Sequence, residues 1–353
     1  MITDDMQMNG PENKMTSQHL ASPLAGDAAA FAASQTGRTN LPASRLGYGA
    51  MELSGPPKAR DIPEADAIRF LNHIVDAGIT YIDTSIDYGL SESLIGKALY
   101  HRRSDFLLAS KCACEVGVDP YAPRLDHQHE KHVYTGANVI AGVEQSLKRL
   151  RTDHLDLVQV HGNPTRKELE DGGVIEALLK LKQKGAVLRI GISSRLPLLE
   201  EFIDVDYFTD VQVPYSALQR TNEDAIAALR ASGKTVIVRG VTGRGAPAKG
   251  WATRPIGTAQ GEVRDLWERA NLDEILDGMS RIEFMIRFVL SNDNVNVALV
   301  ATTNHEHLLA DIAYAAKGPL PQALAGEARK RLLAAGCGPG LGKYQSGGPT
   351  PVI

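Results

Sequence analysis

The sequence predicts an α/β protein of the (β/α)8 barrel class, and three observations support that prediction. Eight short apolar runs follow one another, amphipathic helical segments separate them, and the alternation fills most of the 353 residues. Uninterrupted apolar runs are typical of parallel strands covered on both faces, and eight such units in a row favour a closed barrel. A doubly wound open sheet is the alternative, but Gly47-Tyr48-Gly49 lies inside the first run instead of after it.

The candidate strands share a short, mostly apolar composition with helical stretches between them. They are Leu46–Ala50, Tyr81–Asp83, Phe106–Ser110, Leu155–Val160, Leu188–Ile192, Asp210–Val213, Thr235–Val238 and Asn296–Val300. Between the first two, Pro63 indicates the start of a helix and Gly78 its end. Gly318-Pro319 is expected to stop the last helix.

The barrel is predicted over residues 43–335, between two segments of different composition. Residues 1–42 are rich in Ala, Ser, Gly and Asn, so we expect a disordered extension there. Residues 336–353 carry repeated Gly and Pro and are expected to form an irregular tail. Long connections near residues 112–135 and 240–278 follow the third and seventh strands, and long structured loops are usually functional.

Composition narrows the class of protein. Hydrophobic residues make up 43% of the chain, charged residues 23%, and the net charge is −4, as in a soluble globular protein. No basic stripe indicates nucleic acid, and no apolar run approaches the ~18 residues of a membrane crossing. Three cysteines are too few for a disulfide framework, so we expect a reducing, cytoplasmic compartment. The oligomeric state cannot be read from the sequence.

Four polar side chains stand at or just beyond the ends of strands two to four. Asp83 ends the second strand, Lys111 follows the third and His161 the fourth, and Tyr88 lies five residues beyond Asp83. Catalytic residues of such barrels lie at the carboxyl ends of the strands, which are ~4.8 Å apart. We therefore expect the four side chains to converge.

These four residue types suit the transfer of a proton to or from a substrate oxygen. Tyrosine has a reference pKa near ~10, and an ammonium beside it, here Lys111, favours the phenolate. Asp83 can balance the charge of Lys111, and His161 can donate a hydrogen bond to the oxygen. The set predicts acid–base catalysis at a carbonyl that receives a hydride, or at the alcohol that gives it back.

At these residues the sequence resembles the aldo-keto reductases, over about residues 46–333. The motifs that carry the resemblance are Leu46-Gly47-Tyr48-Gly49-Ala50-Met51, Ile82-Asp83-Thr84-Ser85, Tyr88-Gly89, Ser91-Glu92, Ile95-Gly96, Leu155-Asp156-Leu157 and His161. The family's Asp, Tyr, Lys and His thus have counterparts here. The resemblance implies a nicotinamide cofactor bound across the barrel top, with contacts from Ala50, Met51, Asp83, Ser193, Ser194, Gln212, Arg239, Gly240, Thr242, Arg244, Thr302, His307 and Asp311.

Two of these regions depart from the family pattern. Arg239 stands where the family often has an aromatic platform, and a guanidinium can stack or bind phosphate there. Arg244 is a candidate pyrophosphate contact. His307 stands at the usual position of an arginine for the 2′-phosphate of NADP, and Asp311 replaces the usual Asn near the adenine. Thr302 can hydrogen-bond a phosphate but brings no positive charge. We expect NADP(H), since a helix N-terminus favours an anion, with NAD(H) as the alternative.

Other residues invite a functional interpretation. Clustered histidines can bind metal, but we expect a solvated loop and no metal from Asp126, His127, His129 and His132. Tyr121, Tyr134 and Trp251 are candidates to line a substrate pocket. Cys112 and Cys114 are expected to be small packing residues, which lie on the same side if the strand continues that far. Trp267 is expected to anchor a short helix.

The leading hypothesis is an NADP(H)-dependent oxidoreductase acting on a small-molecule carbonyl or alcohol, such as an aldehyde, ketone, sugar or natural product. Two alternatives stay open. The resemblance extends to cofactor-binding regulatory subunits of channels, which would sense redox state with little turnover. A redox-neutral epimerase would return the hydride to the same substrate. The sequence identifies neither the substrate nor the physiological direction.

Overall fold

The computed structural model describes residues 43–56, 59–117, 132–245, 247 and 265–340. Eight parallel strands pair in chain order, and the eighth pairs with the first, so the sheet is a closed barrel and the predicted fold class is confirmed. The strands are β1 (Leu46–Gly49), β2 (Tyr81–Asp83), β3 (Leu107–Cys112), β4 (Leu155–Val160), β5 (Val187–Ser193), β6 (Asp210–Pro214), β7 (Thr235–Arg239) and β8 (Val297–Val300).

The helices that cover the barrel follow the predicted apolar stripes. They are α1 (Glu64–Asp76), α2 (Ser91–Leu99), α3 (Gly136–Leu150), α4 (Arg166–Asp171), α5 (Val174–Gln183), α6 (Glu223–Ala231), α7 (Arg281–Leu290), α8 (His305–Ala316) and α9 (Gln322–Ala334). The expectation that Gly318-Pro319 stops the last helix was wrong, because α9 follows it. That helix starts after Pro321 and is rich in residues with high helix propensity.

Two apolar cores stabilise the barrel. The larger one lies between the sheet and the helices and includes Tyr48, Phe284 and Phe288. A smaller cluster consists of Ala43, Tyr81, Leu107, Ala109, Leu157, Ile237, Val297 and Leu299. Its strand members share one parity, as expected for side chains that alternate between the two faces of each strand.

The same alternation continues toward the carboxyl ends of the strands with polar residues. The register pairs Asp83 with Ala109 and Lys111 with Gln159, so these side chains stand on the same face as the smaller apolar cluster, one step further along. Gln212 occupies the matching position on β6, paired with Ile237. The fold therefore collects polar side chains at one end of the barrel because their sequence spacing places them above an apolar layer.

The described residues that follow α9, up to residue 340, pack against the barrel domain. The amide of Gly340 donates to the carbonyl of Thr221 at 3.1 Å, and Arg220 donates to the carbonyl of Cys337 at 3.2 Å. The predicted extension over residues 1–42 and the remainder of the predicted tail lie outside the described residues. In the described part of the chain, none of the helices combines the length and apolar character of a membrane crossing.

Candidate active site

A buried ion pair joins β2 to β3 at the carboxyl end of the barrel. The ammonium of Lys111 donates to Asp83 Oδ2 at 2.5 Å and to the carbonyl of Thr84 at 2.9 Å. The side chains of Lys111 and Asp83 are only 1% and 4% exposed. Burial alone lowers the pKa of Lys111, but the adjacent carboxylate of Asp83 outweighs it and the net pKa is raised. Lys111 is therefore positively charged at neutral pH.

Two glutamines complete the hydrogen bonding of Asp83. Gln159 and Gln212 donate through Nε2 to Asp83 Oδ1 at 2.9 and 2.8 Å. Gln212 was predicted as a cofactor contact, and in the structure its side chain donates to the Asp83 carboxylate. The sequence analysis did not predict Gln159. Side chains two positions apart in a strand point to the same face, so Gln159 could have been recognised as inward-facing from its spacing to His161. With three donors, the carboxylate of Asp83 is fixed in one orientation.

Tyr88 reaches the ion pair from the loop after β2. Its backbone amide donates to the carbonyl of Ser85 at 3.0 Å, closing a turn. Gly89 has φ +46°, and a Cβ there would lie 2.1 Å from the carbonyl oxygen of Ser54, so only glycine fits this close approach. The Lys111 Nζ lies 4.7 Å from the centroid of the Tyr88 ring. The structure thus brings the predicted tyrosine and lysine together.

The electrostatic surroundings of Tyr88 differ from the expectation. Burial raises the pKa of Tyr88 to about 12, because the loss of solvation outweighs the lowering effect of the Lys111 ammonium. The carboxylates of Asp83 and Asp87 act in the same direction as burial. The hydroxyl is therefore protonated at neutral pH, which suits a proton donor.

His161 follows β4 and faces the tyrosine. The centroids of the two rings are 6.2 Å apart, and the rings are nearly perpendicular at 81°. The Nδ1 of His161 lies 3.2 Å from Cys114 Sγ and 3.6 Å from Asp87 Oδ1. Burial holds the pKa of His161 well below its usual range. The imidazole is therefore neutral at neutral pH and can donate one ring hydrogen.

Cys114 lies beyond the end of the third strand. β3 ends at Cys112, and Ala113 has φ +70°, so the chain turns before it reaches Cys114. Cys112 is buried in the apolar core, as expected, whereas Cys114 contacts the ring of His161. The two cysteines would have shared one side if the strand had continued, but the left-handed residue between them breaks the alternation.

The candidate carboxamide contacts stand beside this cluster at the ends of β5 and β6. Ser193 Oγ donates to Gln212 Oε1 at 3.4 Å. Ser194 donates to Asn163 Oδ1 at 2.7 Å, and the same oxygen accepts the backbone amide of Arg195 at 3.0 Å. Asn163 was not predicted, and it follows His161 by only two residues. Its amide orients Ser194.

The candidate residues after β7 stand at the same rim. Arg239 ends the strand half-buried, and its positive charge acts on both Tyr88 and His161. Gly240 and Thr242 follow in a turn, in which the Thr242 carbonyl accepts the amide of Gly245 at 3.0 Å. The side chain of Arg244 lies outside the described part of the structure. Ala50 and Met51 begin a short 3-10 helix directly after β1, and Ala50 is buried.

Three candidate contacts for the phosphate and adenine end of the cofactor lie around the start of α8. Thr302 is half-buried and its carbonyl accepts the hydroxyl of Tyr48 at 3.0 Å. His307 is exposed, and its amide donates to the side chain of Asn304 at 3.0 Å, so the helix cap already uses that donor. Asp311 is buried, and burial raises the pKa of its carboxyl to about 7. At neutral pH a carboxyl with this pKa is only partly ionised, so it carries less negative charge than an exposed aspartate would.

Among the remaining candidate residues, Trp267 and Tyr134 lie in the described part of the chain. Trp267 is buried, and its indole N–H donates to Asp273 Oδ1 at 3.0 Å, which is the anchoring role that the sequence predicted. Tyr134 donates to the carbonyl of His161 at 3.1 Å and stacks on His132. Outside the described residues lie Tyr121, Asp126, His127, His129 and Trp251.

Comparison with known proteins places this geometry in a family. The model of the Aldo/keto reductase family matches residues 45–329. The uncharacterized oxidoreductase YqkF of Bacillus subtilis is 27% identical over 293 residues, which are 78% of this chain and 88% of that protein. Pyridoxine 4-dehydrogenase of Escherichia coli is 30% identical over 208 residues, or 54% of this chain and 66% of that protein.

A solved structure agrees with the sequence comparisons. The holo form of aldo-keto reductase AKR11C1 from Bacillus halodurans superposes with a TM-score of 0.70 at 26% identity, covering 88% of this chain and 97% of that one. The family model, the relatives and the closed parallel barrel point to the same conclusion. The chain belongs to the aldo/keto reductase family and is an NAD(P)H-dependent oxidoreductase.

Proposed function

We propose that the protein is an NADP(H)-dependent oxidoreductase that interconverts a small-molecule aldehyde, ketone or sugar carbonyl and its alcohol, with Tyr88 as the general acid and base. The observation that carries the proposal is the buried Asp83–Lys111 pair with Nζ 4.7 Å from the Tyr88 ring. All three cysteines are buried thiols, and we propose a cytoplasmic location for the protein.

The residues at the rim fit a dinucleotide. The half-buried guanidinium of Arg239 offers a planar cation beside Tyr88, and the serines at the end of β5 offer hydroxyls. Ser193, Ser194 and Gln212 would hold the carboxamide end, while Ala50 and Met51 would border the nicotinamide and its ribose. Thr242, Arg244, Thr302, His307 and Asp311 would meet the phosphates and the adenine end. When bound, the nicotinamide supplies or accepts the hydride.

The side chains of this protein handle the proton that accompanies the hydride. In reduction, the Tyr88 hydroxyl donates its proton to the substrate oxygen, and the Lys111 ammonium stabilises the phenolate that remains. Asp83 keeps Lys111 charged and fixed in place. His161, as a neutral imidazole, donates a hydrogen bond to the same oxygen. In oxidation, the phenolate of Tyr88 takes the proton from the alcohol.

Asp311 bears on the choice between the two nicotinamide cofactors. A 2′-phosphate near a charged carboxylate would be repelled, but the raised pKa of Asp311 lowers the fraction of molecules with that charge at neutral pH. This supports NADP(H) over NAD(H) despite the exposed position of His307 and the lack of a lysine or arginine among the candidate residues of this region. The preference of the protein for NADP(H) should therefore weaken as the pH rises above neutrality and Asp311 ionises.

The test is a pair of measurements on the purified full chain. Quenching of protein fluorescence is titrated with NADPH and with NADH, and steady-state turnover is measured with each against a panel of aldehydes, ketones and sugars. We expect tighter binding of NADPH and measurable reduction of at least one class. Tighter binding of NADH would contradict the cofactor assignment, and saturable binding without turnover of any substrate would contradict the catalytic one.

The pKa of Tyr88 leads to different pH dependences in the two directions. Reduction uses the protonated hydroxyl, which is present throughout because the pKa is about 12. Its kcat/KM should therefore stay nearly constant between about pH 6 and pH 9. Oxidation uses the phenolate, whose fraction rises ~10-fold per pH unit below the pKa, so its kcat/KM should rise with the same slope.

Both profiles are measured with one alcohol–carbonyl pair and corrected for the intrinsic equilibrium of the reaction. A bell-shaped reduction profile centred near neutrality would instead indicate a donor that titrates there. Because the pKa of His161 lies far below neutrality, that outcome would point to a residue outside the proposed four.

A further inference from the structure

Three side chains with metal-binding atoms lie together beside Tyr88, and we refer to them as the Cys–His–His cluster: Cys114, His132 and His161. One ligand atom from each lies within 4.8 Å of the other two. Cys114 Sγ is 3.2 Å from His161 Nδ1, and the rings of the two histidines have centroids 5.2 Å apart at 88°. A thiol and two imidazoles in this arrangement are a ligand set that soft or borderline divalent cations prefer.

The backbone holds the three members of the cluster in place. Cys114 and His132 are paired by an antiparallel bridge, although 18 positions separate them in the chain. The amide of His161 donates to the carbonyl of Cys112 at 3.0 Å. Each ligand side chain is thus attached to hydrogen-bonded backbone, which reduces the conformational entropy that an ion must overcome to bring them together.

His132 has a ring nitrogen that is available to coordinate a metal ion. Its Nε2 is buried and makes no hydrogen bond within the described part of the chain, a state that costs free energy unless the nitrogen finds a partner. The ring stacks on Tyr134 with centroids 5.9 Å apart and planes at 6°. A Cβ on Gly162 would lie 2.3 Å from the Tyr134 hydroxyl and 3.2 Å from the His132 ring, so glycine makes room for this pair.

We propose that the Cys–His–His cluster binds one Zn²⁺ ion and that the bound ion inhibits turnover, the inhibitory half resting on the proposed function. Zinc takes thiolate sulfur at ~2.3 Å and imidazole nitrogen at ~2.0–2.1 Å in a tetrahedron, which separates the ligand atoms by roughly 3.3–3.7 Å. The observed separations of up to 4.8 Å would therefore have to close by at most about 1.5 Å. Three protein ligands leave the fourth position to water.

Binding exchanges a proton for the metal. The S–H bond of Cys114 breaks, an S–Zn bond forms, and one proton passes to the solvent, while the two neutral imidazoles coordinate through nitrogen lone pairs without losing one. The cluster contracts around the ion, and contraction moves the ring of His161 from the position in which it faces Tyr88. The bound ion therefore disturbs the hydrogen-bond donor of the proposed mechanism.

Cobalt is the probe for binding, because tetrahedral Co²⁺ with a thiolate ligand gives visible d–d bands and a near-ultraviolet charge-transfer band. The full chain without cofactor or substrate is titrated with Co²⁺ and then with Zn²⁺, which should displace it at one equivalent. Cys114→Ser should abolish the charge-transfer band, and His132→Gln should lower the affinity at least ~100-fold, since even loss of a second-shell partner costs 10–100-fold. A pH indicator should report one proton released per ion.

Matched variants show that the signal belongs to the cluster. Cys337→Ser removes another buried thiol, and His101→Gln removes an exposed histidine before β3, at the opposite end of that strand. Both variants should keep the cobalt spectrum. Thermal unfolding of every variant without metal checks that the fold is intact. Retention of the charge-transfer band in folded Cys114→Ser, or no band in the parent protein, would overturn the proposed site.

Turnover is measured separately with Zn²⁺, and each variant is compared with its own rate without metal. Parent, Cys337→Ser and His101→Gln should lose activity over the concentration range in which Zn²⁺ displaces cobalt, and His132→Gln should need at least ~100-fold more zinc. Zinc that displaces cobalt at one equivalent and leaves turnover unchanged would overturn the inhibitory half. Because the cobalt titration needs neither cofactor nor substrate, the binding result stands apart from any failure of the proposed function.

Discussion

Replacing Tyr88 with phenylalanine is expected to lower the rate of carbonyl reduction by roughly 10²–10⁴-fold, the usual contribution of a general acid. The ring stays, and with it the position of the Lys111 Nζ 4.7 Å from the ring centroid. The substitution therefore removes the transferable proton and leaves the packing of the site in place. Cofactor affinity, measured by fluorescence titration, should change little, so the loss should appear in kcat.

Tyr215→Phe is the matched control for this experiment. Tyr215 is also buried, and its hydroxyl donates to Glu223 at 3.1 Å. Loss of that hydrogen bond should cost about 1 kcal/mol of stability and leave most of the turnover. If Tyr88→Phe also kept most of its turnover, Tyr88 would not be the proton donor. A loss of cofactor affinity that fully explained a lower rate would instead make Tyr88 a binding residue.

Much of the fold and the core of the site follows from local spacing in the sequence. All eight strands were predicted with ends within two residues of those observed. Asp83 and Lys111 stand at the carboxyl ends of neighbouring strands and share one face, so a correct strand assignment was sufficient to bring them together. His161 lies directly beyond the next strand. The same parity rule could have identified Gln159, which lies within β4 where an apolar residue would otherwise stand.

The parts that the sequence did not predict depend on contacts between distant segments. Cys114 meets His132 only because the chain turns at Ala113 and a later segment returns beside it. Spacing alone does not encode that return. The high pKa of Tyr88 depends on how completely the surrounding loops exclude water, which outweighs the nearby ammonium. The sequence shows that Lys111 is charged, but it does not show how much solvation Tyr88 loses on folding.

Replacing Asp83 with asparagine should both destabilise the fold and abolish most turnover. It leaves the Lys111 ammonium, only 1% exposed, without its counter-ion, and breaking a buried pair on one side costs about 3–5 kcal/mol. Asparagine keeps an oxygen to accept from Gln159 and Gln212, so the change is mainly one of charge. Chemical denaturation measures the free energy of unfolding, and steady-state kinetics measures the turnover.

An exposed ion pair of similar geometry provides the control. Lys167 Nζ lies 2.6 Å from Asp171, close to the 2.5 Å of the buried pair, but the two side chains are 80% and 66% exposed. Asp171→Asn should leave the free energy of unfolding nearly unchanged, because solvent screens this exposed pair. Equal effects of Asp83→Asn and Asp171→Asn would mean that the buried charge of Lys111 is solvated or compensated elsewhere.

A double variant separates the structural from the catalytic role of the pair. Adding Lys111→Met to Asp83→Asn removes the uncompensated charge and replaces it with an apolar chain of similar length, so much of the lost stability should return. Turnover should not return, because the phenolate of Tyr88 would then lack the cation that stabilises it. Recovery of both stability and turnover would show that the pair has only a structural role. If neither recovered, the loss of stability in Asp83→Asn would not come from an uncompensated charge on Lys111.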